Sequence, residues 1–445
     1  MDRLLSPVRQ APPWLVPLLC WLAMVFDGYE VYVYGATLPG IIGPQPWGVT
    51  IDAAAGVASA NLTGVLLGAV VSGTLADILG RRKLFITSLT LFSASALACA
   101  LAVDFVSFGI LRFITGLGIG GITPTVIALT AEFSRARYRS RMIGLVLTGP
   151  AIGGMIAPLT ALAVLDRFGF RPAYAFGALP LITILPAAIA WLPESVSFLR
   201  ARGKDAAADA TAARFDLEQE TDSAEPVQHV PDSRVAALFS RGNRWVTPAL
   251  WFMMLMSNLV VFGLGTWLPQ FLVRGGFPLS FALLMNVLLS GATVVSTLVS
   301  ATIADRLGAA KPLVLAGLIL GFLGYSVVFV FGGGVGVIFG LALVGLGTGS
   351  AHSLLQVHVA GYYPPQYRAT GLGWAIGVGR FGAIAGPQYG AIFISLSGDV
   401  SIVAVAFGIP ALVGAALMAT LPRRARGQDA EPAQGVQRVR PVIRR

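Results

Sequence analysis

Four fully charged side chains stand inside stretches that are otherwise apolar: Asp27, Glu30, Arg112 and Arg380. At the centre of a bilayer each would cost about 2.5–3.5 kcal/mol on insertion scales, so each needs a chemical reason to be there. Asp27 and Glu30 are three residues apart, which on a helix puts both carboxylates on one face, and Tyr34 continues that stripe one turn beyond Glu30. Two carboxylates so placed can take up and release a proton as their access to water changes, the requirement for coupling to a proton gradient. Arg380 shares a stripe with Gly373, Gly377, Ile384 and Pro387, so small residues leave room beside it. A guanidinium in an uncrowded cavity grips a planar carboxylate through two parallel hydrogen bonds. Arg112, with Thr115 and Gly116 on its face, is expected either at the same ligand or in a fixed ion pair with a carboxylate of the first helix. His352 has Gln356 on its own face four residues on and is a candidate for lining the cavity, whereas His358, six residues away, points elsewhere. Tyr29, Trp374 and Phe381 are candidates for stacking on a ring.

The elements that must position these groups follow from composition. Of 445 residues 56% are hydrophobic and 12% charged, half the charge of an average globular chain, too little to cover a water-facing surface of this size. That excludes an ordinary soluble enzyme. A helix needs about 20 apolar residues to cross the hydrocarbon core. The chain divides into twelve such segments, near 14–38, 53–75, 84–103, 106–130, 141–165, 172–192, 246–272, 279–303, 312–331, 335–361, 369–396 and 400–421. Counted from the start of the first segment, Asp27 lies roughly 20 Å in at 1.5 Å per residue, well inside the core. Arg3 and Arg9 precede that segment as in a signal peptide, but Asp27 and Glu30 interrupt it and no small-residue cleavage site precedes them, so it reads as the first membrane helix.

The net charge of +10 comes from 31 Lys and Arg against 21 Asp and Glu. These basic residues form no patch with interleaved aromatics, so nucleic acid is not an expected partner. They cluster instead in alternate loops: Arg81 to Lys83, Arg135 to Arg141, Arg200 to Arg244, Arg306, Lys311, Arg368 and the tail from Arg423. The loops after segments 1, 3, 9 and 11 hold none, and those after 5 and 7 hold only Arg167, Arg171 and Arg274. The positive-inside rule then predicts both termini in the cytoplasm. Cys20 and Cys99 lie in apolar runs and read as small hydrophobes. No phosphate loop, metal cluster or catalytic triad spacing is present, so neither a cofactor nor a metal nor enzymatic activity is expected.

An internal repeat sharpens the architecture. GTLADILGRRK after segment 2 aligns with ATIADRLGAAK after segment 8, matching Asp77 with Asp305, Gly80 with Gly308 and Lys83 with Lys311. A six-helix unit is thus present twice in parallel. Parallel halves with a site near the midplane between them are a transporter architecture. The predicted fold is an all-α integral membrane protein of twelve transmembrane helices in two six-helix halves. The predicted parts are an N-terminal half (1–193), a polar central loop (194–245) with a short amphipathic helix near Ala206 to Leu217, a C-terminal half (246–422) and a basic tail (423–445) suited to anionic membrane lipid.

With these motifs in place the chain resembles the major facilitator superfamily from Pro13 to Leu421. GTLADILGRRK, RFITGLGIGG (Arg112 to Gly121) and LPESVSFL (Leu192 to Leu199) are similar to its signatures. Closer similarity is to the aromatic acid:proton symporter family, through FDGYEVYVYGATLP (Phe26 to Pro39), GLGTWLPQFL (Gly263 to Leu272) and YPPQYRATGLGWAIGVGRFGAIAGP (Tyr363 to Pro387). Glu30 stands where that family has Asp, and Ala309 and Ala310 replace the arginine pair in the second copy of the loop motif. The resemblance implies import of an aromatic carboxylate, benzoate or hydroxybenzoate-like, by proton symport, in a monomer of the inner (plasma) membrane. The proton would be carried by Asp27 and Glu30, and the substrate held by Arg380, Arg112, Tyr34, Trp374 and His352. Asp77, Gly80, Arg81, Arg82, Asp305 and Arg368, with Glu132, would gate the cytoplasmic side. The rivals are a symporter of another organic anion or of a sugar, a drug exporter, which Arg380 disfavours, and a membrane chemoreceptor for the same acids.

Overall fold

The computed structural model describes residues 12, 14–42, 47–215, 217, 238–239, 243–307, 309–363, 367–396 and 401–422. The basic tail, most of the central loop and Gly308 of the repeat lie outside them. Among the described residues twelve helical segments cross the molecule: α1 Leu15–Ile41, α2 Ile51–Leu79, α3 Arg81–Ala100, α4 Phe105–Glu132, α5 Arg141–Phe168, α6 Arg171–Trp191, α7 Val246–Arg274, α8 Leu279–Leu307, α9 Lys311–Phe331, α10 Gly334–Tyr362, α11 Arg368–Leu396 and α12 Ser401–Thr420. All but α11 are long and apolar enough to span a bilayer by composition alone. α11 is as long as α10, 29 residues, but carries seven glycines and Arg380. α5 breaks after Val146 and resumes at Gly149, and α6 is interrupted by a single 3₁₀ turn at Leu179–Leu181, around Pro180.

Local chemistry sets the helix ends. Thr50 accepts from Ala53 N at 3.3 Å to start α2, and Asp104 accepts from Ser107 N at 2.8 Å to start α4. That Ser107 N–H holds the exposed Asp104 carboxyl below the usual carboxylate range. The predicted amphipathic helix is present as Asp205–Arg214, with Ala208 and Ala212 buried against Val196 and Leu199.

Within each half, glycines bring helix backbones into direct contact, the packing mode that lipid-embedded helices favour. Gly116 and Gly120 of α4 face the carbonyls of Asn61 and Val65 on α2, and Gly28 of α1 faces Pro150 on α5. In the second half Gly382 and Gly386 of α11 lie on Leu255 and Leu259 of α7. A methyl group at any of these would overlap main-chain atoms.

The buried apolar residues show how the halves are joined. One core at the end opposite the termini draws on both halves, from Leu38, Ile41 and Phe108 to Leu268, Phe271 and Phe407. At the termini end each half has its own core, around Leu19, Phe85 and Leu129 in the first and Leu250, Val314 and Leu354 in the second. Contacts between halves fit this division: Gly35 of α1 lies against Gly265 and Thr266 of α7, Ser59 donates to the Ile384 carbonyl at 2.8 Å, and Ser290 to that of Gly154 at 3.3 Å. Among the described residues the halves therefore share a core at the far end and keep separate cores at the termini end.

Candidate substrate and coupling site

Near the middle of their helices, Asp27 of α1 and Arg380 of α11 approach from opposite halves, each within reach of the other's charge. Asp27 is 6% exposed, and its Oδ1 has no hydrogen-bond partner among the described residues. The glycine stripe beside Arg380 is uncrowded, since a methyl group on Gly373 or Gly377 would meet nothing within 4 Å. Arg380 is also within charge range of His352 on α10. The His352 ring is oriented by Ser257 of α7, 2.9 Å from Nδ1, while Gln356 approaches Nε2 at 3.4 Å. Three helices of the second half, α7, α10 and α11, and α1 of the first thus bring polar groups to one region.

Glu30 belongs to a different constellation. Its Oε2 accepts from Arg112 Nη1 at 2.9 Å, and its main-chain oxygen accepts from Arg112 Nη2 at 2.7 Å. The guanidinium is 1% exposed and the carboxylate 0%. Tyr34 and Tyr174 flank the cation, with ring centroids 5.8 and 5.7 Å from its central carbon. The Tyr34 hydroxyl donates to the Ala54 carbonyl at 2.8 Å, and the Tyr174 hydroxyl lies 3.0 Å from that of Thr37. Asn61 holds the backbone of α4 in place by donating to the Arg112 carbonyl at 2.6 Å. Gly177 of α6 completes the enclosure, because a methyl group there would overlap Glu30 Oε1. The two carboxylates that share a helix stripe are therefore divided: Asp27 faces Arg380 across the interface of the halves, and Glu30 is paired with Arg112 inside the first half. Arg112 and Tyr34 sit together in this pair and not beside Arg380.

The loop motif forms a third cluster at the termini end. Gly80, at φ +90°, joins α2 to α3 without an intervening residue and leaves space for the Glu194 carboxylate against its Cα. Glu194 accepts from the backbone N–H of Arg82 at 2.9 Å and of Ser195 at 3.0 Å, capping the start of α3. Burial holds the Glu194 carboxyl above the usual carboxylate range, with those N–H groups acting against it. Arg81 pairs with Glu132 at 3.0 Å, and Glu132 also accepts from Ser197 N at 2.7 Å. Arg82 donates to the Ile189 carbonyl at 2.6 Å. Asp77 and Asp305 are exposed at this end, and Arg368 reaches the Tyr363 carbonyl at 3.4 Å.

Trp374 takes a partner on α7. It is 47% exposed and stacks on Trp251 at 5.6 Å. It shares its stripe with Phe381 and Ile392, both also exposed. Tyr29 is likewise committed elsewhere, its hydroxyl donating to the Ala173 carbonyl at 2.6 Å. His358 is buried beside Tyr362. Three contributors lay below the reach of sequence reasoning. Ser257 and Tyr174 are uncharged residues in apolar runs, and Glu194 was visible only as part of the exit signature.

Comparison with known proteins bears on this geometry. A profile for the Major Facilitator Superfamily matches residues 20–387 and again 288–444. The chain is 30% identical over 432 residues to the benzoate transport protein of Acinetobacter baylyi, covering 93% of this chain and 89% of that one. It is 32% identical over 408 residues to the gallate transporter of Pseudomonas putida, covering 90% of each. Among solved structures, a D-xylose-proton symporter superposes with a TM-score of 0.73 at 15% identity, over 93% of this chain and 99% of that one, which shows the shared fold. The chain belongs to the Major Facilitator Superfamily, within the branch that holds these aromatic-acid transporters.

Proposed function

We propose that the protein imports an aromatic carboxylate together with protons. The observation that supports this most is the approach of Asp27 and Arg380 from opposite halves, with Arg380 left uncrowded by Gly373 and Gly377. Arg380 grips the substrate carboxylate through its planar fork. An anion arriving there confronts Asp27, and a proton on Asp27 removes the like-charge opposition. Binding of the anion and binding of the proton therefore favour one another, by the same factor in each direction. That reciprocal coupling is the thermodynamic core of symport. Relatives named for benzoate and gallate support a ring attached to the carboxylate.

Glu30, held by Arg112, tunes the first half and is the second carboxylate assigned to coupling. In this reading both termini lie on the cytoplasmic side of the plasma membrane, and the protein works as a monomer. Closing the inside brings the α2–α3 and α8–α9 turns together, a movement to which we assign the exposed Asp77 and Asp305.

An inside-negative potential opposes entry of a monoanion by about 2.3 kcal/mol per 100 mV, and one co-transported proton cancels that opposition. Uptake of radiolabelled benzoate or hydroxybenzoate into proteoliposomes should run uphill on an imposed pH gradient and stop on adding a protonophore. Accumulation undiminished by the protonophore would sink the symport reading. Arg380→Lys keeps the charge but loses the fork, so it should insert normally and bind the acid much more weakly. Unchanged binding would make Arg380 a structural residue.

A further inference from the structure

The seam where α8 of the second half packs on α5 of the first encloses a polar side chain. On α8, Leu283, Asn286 and Ser290 follow one another at spacings of three and four, so they share a face. That face meets the first half at both ends of the row. Leu283 packs with Ala36 of α1 and Ala161 of α5, and Ser290 donates to the Gly154 carbonyl of α5 at 3.3 Å. This carbonyl takes an outside donor because Pro158, four residues on, has no N–H to give it. Asn286 lies between those two contacts and is 0% exposed, and neither its carbonyl oxygen nor its amide nitrogen has a hydrogen-bond partner among the described residues. Met285 and Leu289, beside it on α8, belong to the apolar core that both halves share. A buried carboxamide without partners costs free energy that it recovers on reaching water. Alternating access requires the halves to part at this end during the transport cycle, and parting carries Asn286 towards water while taking Ser290 from Gly154.

We propose that Asn286 and Ser290 form a two-way latch on the α5–α8 seam, Ser290 holding the halves together and Asn286 favouring their separation. The two act in opposite directions for one reason, the pairing of polar groups in the joined seam. Ser290 gives the Gly154 carbonyl the donor that its own helix lacks, so the joined seam gains a bond. Asn286 gains none there, so the joined seam is weakened by the same kind of group one turn away. An apolar side chain of similar size at 286 would remove that penalty and make parting harder. The latch governs the travel of the halves and serves whatever anion is carried, so it depends on neither Arg380 nor Asp27.

The test is thiol labelling of the purified full-length protein with a water-soluble maleimide. Ala161→Cys serves as the reporter, because Ala161 is 0% exposed where α5 meets Leu283, and its labelling rate follows the fraction of molecules with the seam parted. Cys20, buried in the core that belongs to the first half alone, reports on the fold, and peptide mass analysis reads the two thiols separately. Added to this background, Asn286→Leu should slow labelling at the reporter about tenfold, and Ser290→Ala should speed it about threefold. Cys20 should label as slowly as before in both. Unchanged or faster reporter labelling in Asn286→Leu would overturn the inference, and so would unchanged or slower labelling in Ser290→Ala. Rapid labelling of Cys20 in either variant would overturn it too, because the side chain would then be holding the fold and not the seam.

Discussion

Separating Glu30 from Arg112 should be costly, and separating them by removing both should be much less so. The pair is fully enclosed, at 0% and 1% exposure, and Arg112 spends one N–H on the carboxylate at 2.9 Å and another on the Glu30 carbonyl at 2.7 Å. Removing one member of such a pair leaves an uncompensated buried charge, at about 3–5 kcal/mol. Glu30→Gln keeps an acceptor for Nη1 and belongs near the lower bound. Arg112→Met belongs near the upper one, because it strips the donor from the carboxylate and from the main-chain oxygen together. With both changes present no buried charge is left, so the double variant should lose about 2–3 kcal/mol less than the sum of the singles. The assay is unfolding of the purified protein in detergent, followed by tryptophan fluorescence for the four proteins of this cycle. Strictly additive losses, or single variants within about 1 kcal/mol of the wild type, would refute the reasoning.

Gly177→Ala places a methyl group onto Glu30 Oε1 and should push the carboxylate off Arg112, lowering stability by about 1–3 kcal/mol in the same unfolding assay. Glu194 gives a pH signature: its folded-state carboxyl sits above its ordinary 4.5, so the folded protein binds more protons than the unfolded one just above that pH. Stability from this group should therefore fall as pH rises from about 4.5 through the folded value. Glu194→Gln should flatten that slope, as unfolding measured across pH 4 to 7 will show.

Much of the fold is legible in the chain because lipid as solvent demands long apolar runs, and the repeated loop motif divides them six and six. The pocket is legible in part. Asp27, Glu30, Arg112 and Arg380 announce themselves because a charge in an apolar run needs a reason, and His352 with Gln356 follows from helical spacing. Which carboxylate meets which arginine does not, since spacing of three along α1 says only that Asp27 and Glu30 share a side. The choice is made by packing: Arg112 reaches Glu30 from α4, and Gly177 of α6 leaves room for its Oε1. Trp374 shows the complementary limit: an aromatic residue six positions from Arg380 falls on the neighbouring stripe, and only packing reveals its partner, Trp251 on α7. Ser257 carries no signal of its own, because a serine in a membrane helix satisfies itself on the preceding turn as readily as on a neighbour.

Coupling of proton to substrate at Asp27 is the central claim, and it is tested most directly in proteoliposomes with a pH indicator trapped inside. Imposing an inward gradient of hydroxybenzoate should acidify the lumen of vesicles holding the wild-type protein, beyond the signal of protein-free vesicles that accounts for passive entry of the neutral acid. Asp27→Asn resembles the protonated site permanently. It should still exchange labelled for unlabelled substrate, because exchange never requires the proton to leave, yet show no acidification above the protein-free control. Substrate-driven acidification retained in Asp27→Asn would contradict the account and place the proton elsewhere.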